Sequence, residues 1–215
     1  KYASLLLQFR SMLNVSLLPH TLDVMSVART HFREALSILS SLIEDDAFIE
    51  SIDSASDAIS ECLRSGGKIL CCGNGGSMSD AMHFAEELSG RFREDRPAYA
   101  AIAISSPAHI TCVANDYGYD KIFSRGVEAL GRPGDILLAV TTSGNSPNII
   151  EAARSAKSIG MKVIALTGKD GGKLAEESFA NHEIRIPWDG YSDRIQEVHI
   201  KCIHAMIDSV EKSLA

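Results

Sequence analysis

His83 and Glu87 stand four residues apart in the run "SDAMHFAEEL" (79–88). On a helix, side chains at i and i+4 are neighbours, so an imidazole and a carboxylate share one face. That pairing suits either a metal site or an acid–base pair; on many helices it is an ordinary surface pair. A second run, "DRIQEVHIKCIHAMIDSV" (193–210), carries Gln196, His199 and His204 among apolar residues. Polar groups in a largely apolar helix cost free energy unless they find partners.

A third stretch, "TTSGNS" (141–146), lies between the apolar run "DILLAV" (135–140) and the helical run "NIIEAARSAKSI" (148–159). Ser146 suits the N-cap and Pro147 the first helical position. The helix start then points free N–H groups and a partial positive charge at the loop. Thr141, Thr142, Ser143 and Ser146 add hydroxyls, and Gly144 lets a backbone come close. This is a phosphate cradle built without lysine or arginine; a cap alone needs one hydroxyl, not four. A dinucleotide fits poorly. "GNGGSM" (73–78) has Met78 where a Rossmann fingerprint has its third glycine, and "YAAIAIS" (99–105) ends without an acidic residue for a ribose. Asp170 follows Gly168-Lys169, which excludes a P-loop.

The elements that must position these residues follow from the pattern. Apolar residues at helical spacing (Leu22, Met25, Ala28, Phe32, Ala35, Leu36, Leu39; then Ile49, Ile52, Ala55, Ile59, Leu63) predict helices over about 22–43 and 47–65. Beyond Gly66-Gly67, short apolar runs at 68–72, 99–104, 135–140, 162–166 and 183–186 alternate with helical segments. That is the signature of a parallel sheet covered on both faces. A last helix runs from about Asp193 to the end. In such a sheet ligands bind at the carboxyl ends of strands, where the loops 73–77, 141–146 and 167–172 fall. The expected fold is an α/β three-layer sandwich with a five-stranded parallel sheet, preceded by N-terminal helices: one domain over 25–215 and an extension over 1–24.

Bulk properties narrow the class. The 215 residues carry a net charge of −7 and 45% hydrophobic residues. That is a globular composition with no basic stripe for nucleic acid. Five cysteines without a Cys-x-x-Cys indicate a reducing compartment rather than a disulfide frame. The apolar stretch near the N-terminus is broken by Gln8, Arg10 and Asn14. It matches neither a spanning helix nor a secretory leader.

Taken together, "GNGGS", "DAMHFAEELSGRF", "AIAIS", "VANDYGYDKIFSR", "TTSGNSPN", "LTGKDGGKLA" and "DRIQEVHIKCIH", in this order, resemble the phosphoheptose isomerases of the SIS (sugar isomerase) domain family. The resemblance runs from about residue 25 to the end. It implies a cytoplasmic homotetramer that converts sedoheptulose 7-phosphate to D-glycero-D-manno-heptose 7-phosphate through an enediol, the first step of ADP-heptose synthesis for lipopolysaccharide core. It further implies a zinc ion on each subunit, held by His83, Glu87, Gln196 and His204, with Glu87 and His204 as the acid–base pair. Substrate contacts carry over to Asn74, Gly75, Gly76, Glu87, Asn115, Asp116, Thr141, Thr142, Ser143, Ser146 and Gln196. The chain departs from some members at Met78-Ser79. Two rival readings share the phosphate loop: a non-catalytic SIS relative that binds a replication-initiator protein, and another sugar-phosphate isomerase. The first lacks the counterparts of Glu87 and His204; the second is not expected to carry all four metal-site residues.

Gln196 and His204 are eight residues apart, about 12 Å along a straight helix. Both can reach one metal only if the helix breaks or if they come from different chains. The second alternative places the site at a subunit interface. A helix buried on several sides, with Ile195, Val198, Ile200, Cys202, Ile203, Met206, Ile207 and Val210, fits it.

Overall fold

A computed structural model describes residues 26–215. The chain divides into two compact units, residues 1–34 and 35–215. The described part of the first is the opening of a helix, and the account below concerns the second. The extension expected over residues 1–24 lies outside the described residues.

Among the described residues two helices come first, α1 (Val27–Ile43) and α2 (Asp46–Arg64). Asp45 separates them and caps the second, accepting bonds from the Ala47 and Phe48 N–H groups. Then strands and helices alternate: β1 (Ile69–Gly73), α3 (Gly76–Ser89), β2 (Ala101–Ala103), α4 (Pro107–Tyr117), α5 (Ile122–Leu130), β3 (Ile136–Val140), α6 (Pro147–Ile159), β4 (Lys162–Gly168), α7 (Gly172–Glu176), β5 (His182–Ile186) and α8 (Ser192–Leu214). The five strands form one parallel sheet in the order β2-β1-β3-β4-β5. The three-layer α/β expectation holds.

Alternation along the strands fills two cores. Ile69, Cys71, Ile136, Leu138, Val140, Ile164 and Leu166 face α2, α3 and α8. Leu70, Cys72, Leu137, Ala139, Val163 and Ala165 face α5 and α6. The central strands β1 and β3 are buried throughout, which is why they read as unbroken apolar runs.

Strand order reverses between β1 and β3, the point where such sheets bind ligands. Gly73 pairs with Val140, so the two strands end level and their loops face each other.

Two strands and one helix depart from expectation by more than a residue at an end or in the face they bury. β2 is shorter, because the Tyr99 N–H turns away to the Leu88 carbonyl at 3.0 Å. β4 is longer, because Thr167 and Gly168 still pair with Arg185 and Ile186. In α1 the buried residues are Ile38 and Leu42, whereas Leu36 and Leu39 are 64% and 40% exposed. The helix has apolar side chains on two faces, and the described residues cover one of them.

Candidate active site

The first loop leaves β1 at Gly73 and enters α3 through Gly75, whose φ is +56°. Asn74 is locked in place. Its Nδ2 donates to Asn148 Oδ1 at 2.9 Å, and Asn148 Nδ2 donates back to Asn74 Oδ1 at 2.8 Å. The Tyr119 hydroxyl donates to the same Asn74 oxygen at 3.1 Å. Asn148 is on the first turn of α6 and fully buried. This amide pair therefore joins the two loops across the strand-order reversal.

The second loop keeps its expected form with one difference. Ser146 occupies the N-cap of α6 and Pro147 follows it, but the Ser146 hydroxyl makes no capping bond. It faces the Thr141 hydroxyl at 3.5 Å. Thr142 Oγ1 donates to Ser192 Oγ at 3.2 Å, and Ser143 Oγ accepts the Asn145 N–H at 3.2 Å. Gly144 has φ +65°, and a Cβ there would meet the Gly171 carbonyl oxygen at 1.8 Å. The loop can thus close against α7 only with glycine at this position.

His83 and Glu87 project from α3, whose other face carries the buried Ala81, Phe84, Ala85 and Leu88. His204 comes from α8. His83 Nε2 lies 3.0 Å from His204 Nε2 and 3.2 Å from Glu87 Oε1. The three residues form a group able to hold a metal ion, with donor atoms all within 4.8 Å of one another. Two imidazoles and one carboxylate are a known catalytic zinc set. The two spacings that involve His83 are close to the tetrahedral edge of about 3.3 Å implied by metal–nitrogen bonds of ~2.0 Å. Burial, then His83, pulls the His204 pKa below the ordinary histidine value, against the opposing Glu87 carboxylate. The shift favours the neutral imidazole, the form that ligates a metal or accepts a proton.

Gln196 lies eight residues before His204 on α8. It sits where α8 passes the start of α3, so close that a Cβ on Gly76 would meet its amide nitrogen at 2.6 Å. Together with Ser79, Asp80, His83, Asp193, Glu197 and Ile200 it lines a cavity of about 400 Å³. α8 runs unbroken from Ser192 to Leu214. The broken-helix route to a four-residue metal site is therefore excluded, and within one chain Gln196 and His204 serve different turns of α8. Asn115 and Asp116 are exposed on the last turn of α4, bonded to each other at 2.7 Å.

Sequence reasoning passed over four participants. Asp80 is three residues before His83 on the same helix face, a spacing that flags it. Its Oδ2 is buried without a partner among the described residues, and burial raises its pKa to about 6, His83 opposing. Ser192 ties the cradle to α8. Asn148 stood at the head of the helical run 148–159 as a mere helix residue. Arg96 lies in the charged run "RFREDR" (91–96), which carries no motif.

The fold and the site define a SIS domain protein. The SIS domain model matches residues 30–168. The curated phosphoheptose isomerase of Pectobacterium atrosepticum is 58% identical over 187 residues, 87% of this chain and 96% of that protein. That of Tolumonas auensis is 59% identical over 181 residues, 84% and 93%. Among solved structures, the phosphoheptose isomerase of Neisseria gonorrhoeae superposes with a TM-score of 0.79 at 41% identity, covering 86% of this chain and 97% of that one. The Francisella tularensis enzyme gives 0.81 at 39%, covering 86% and 96%. This chain belongs to the SIS domain family and, within it, to the phosphoheptose isomerases.

Proposed function

We propose that this chain interconverts sedoheptulose 7-phosphate and D-glycero-D-manno-heptose 7-phosphate by proton transfer through an enediol. The observation that carries the reading is the convergence of His83, Glu87 and His204 in a chain whose relatives bear that name. The phosphate is held by the 141–146 loop and the start of α6, where the Ser146 hydroxyl is left free of capping. Anchoring this remote group orients the reacting carbons.

Glu87 takes the proton from C1 of the ketose, and the electron pair left behind forms the C1–C2 double bond of the enediol. The O1 proton is lost, O2 gains one, and C2 receives the returning proton, so no electrons are exchanged with the protein. His204, whose pKa burial holds below the ordinary histidine value, carries the oxygen-bound protons. Each well-placed group of this kind contributes roughly 10²–10⁴ in rate. His83, Glu87 and His204 have the donor set for zinc, which when bound would supply Lewis-acid stabilisation of the enediolate oxygens.

We place the complete site between subunits of a cytoplasmic homotetramer, where Gln196 of one chain supplements the cluster of another. The uninterrupted α8 supports this, as do the uncovered apolar side chains of Leu36, Leu39, Ile43 and Ile49. All five cysteines are free, in keeping with a reducing compartment. Among the described residues, no helix is long and apolar enough to cross a membrane.

The test is solvent-deuterium exchange and product formation from sedoheptulose 7-phosphate, with wild type and Glu87→Gln, before and after chelation. The expected result is exchange and turnover in wild type, with both lost in Glu87→Gln. Binding of the sugar without exchange or product in wild type would overturn the proposal.

A further inference from the structure

We propose that Arg96 is a positioning residue that sets the distance between the two helices bearing His83, Glu87 and His204; this rests on reading that cluster as the isomerase centre. An α-helix leaves its last four carbonyls without partners. In α3 the Gly90 N–H takes the Glu86 carbonyl at 2.7 Å. Arg96 takes the next two. Its Nη2 donates to the Glu87 carbonyl at 2.6 Å, and its Nη1 donates to those of Leu88, Gly90 and Pro97 at 2.8, 3.0 and 3.1 Å. Its Nε donates to Glu211 Oε1 at 2.7 Å. Glu211 is on α8, seven residues beyond His204.

One planar guanidinium therefore grips the main chain of the residue that supplies the carboxylate and, at its other edge, the helix that supplies the second imidazole. A positive charge at a helix C-terminus is also favoured by the helix dipole. The Arg96 and Glu211 side chains are only 9% and 13% exposed, so the pair is weakly screened. The same segment carries Phe92, whose ring centroid is 5.6 Å from that of His204. Arg93 lies over Phe92 and pairs with Asp208 of α8. The chain after α3 thus folds back as a strap across both helices. Lysine cannot reproduce the strap, because a single ammonium lacks the fork that serves carbonyls and carboxylate together. Arg96 touches neither substrate nor donor atoms. It acts through spacing, and a displacement of about 1 Å at a reacting centre can cost ~100-fold in rate.

The experiment compares wild type, Arg96→Lys and Glu211→Gln. The last keeps the four carbonyl bonds and weakens only the arm to α8, so it reports even if the arginine variant folds poorly. Turnover of sedoheptulose 7-phosphate, zinc affinity by competition with a chromophoric chelator, and the visible spectrum of the cobalt(II)-loaded protein are measured on each, with urea stability alongside. We expect kcat to fall about 10- to 100-fold in Arg96→Lys with KM within about twofold. Zinc binding should weaken about 10-fold or more and the cobalt spectrum should change, with a smaller change of the same kind in Glu211→Gln. Reduced urea stability with unaltered cobalt spectrum, zinc affinity and kcat would overturn the inference and leave Arg96 a helix cap only. If wild type itself neither turns over the sugar nor binds zinc, the isomerase reading fails and this inference fails with it.

Discussion

His199 offers a test of the fold that does not depend on the reaction. Its side chain is wholly buried between α8 and the sheet. Nε2 is 2.9 Å from the Thr167 carbonyl, which can accept only from the Nε2–H form, while Nδ1 is buried without a partner among the described residues. Burial lowers the pKa to about 4, the Thr167 carbonyl opposing. In the unfolded chain the pKa is near 6.5. Between these values the unfolded state binds the extra proton, so stability rises with pH across this window. The contribution is fully present above about pH 6.5 and is lost as pH falls toward 4. The shift of about 2.5 units amounts to roughly 3 kcal/mol in all, of which about 2 kcal/mol falls between pH 7 and pH 5. That is a large share of a typical total of about 5–15 kcal/mol. With a urea slope of roughly 3 kcal/mol per molar, the midpoint of wild type should drop by about 0.6 M over that interval from this group alone. His199→Gln keeps a donor for Thr167 but cannot titrate. Urea melts of both proteins at pH 7 and pH 5, at one protomer concentration, give the comparison. The variant should lose about 2 kcal/mol of the pH dependence, whatever its stability at pH 7. An equal drop in both proteins would show that His199 is not held neutral by burial.

Two further outcomes follow from the site. If Gln196 and His204 serve one centre from different chains, Gln196→Ala and His204→Ala should each be nearly inactive alone, while oligomers reassembled from an equal mixture should regain about a quarter of wild-type activity, the share of intact pairings in a random assembly; activity that stays at the level of the single variants would place both side chains in one chain's site. Asn148→Leu deletes both bonds of the buried amide pair with Asn74, so chemical denaturation should show a loss of about 1–3 kcal/mol, and calorimetry should show weaker sugar-phosphate binding because the first loop loses its anchor.

The sheet was legible in the sequence because its central strands have no solvent face. β1 and β3 show as unbroken apolar runs, and their turns show as glycine and hydroxyl clusters. β2 was overdrawn because an edge strand shares its backbone donors with other elements, and no side-chain pattern records that Tyr99 donates to Leu88. The exposed and buried faces of α1 could not be told apart, since periodicity reports an apolar face without saying what covers it. His83 and Glu87 were legible as a local i, i+4 pair. Their meeting with His204, 121 residues later in the chain at 3.0 Å, depends on how α3 crosses α8, which is a tertiary fact.

The residues that control this crossing are the ones a sequence reading discounts. Arg96 belongs to a charged run, and such runs are ordinarily solvated; Glu211 lies near the end of the last helix, where charge is unremarkable. They become informative only as a pair, since a guanidinium 9% exposed must be fully bonded to be tolerated. Its partners turn out to be the open end of one site-bearing helix and a carboxylate on the other. The groups that do the chemistry are thus marked by their type and local spacing. The groups that fix the distance between them are marked only by burial, because any bonded charge in a loop looks the same until the fold shows what it is bonded to.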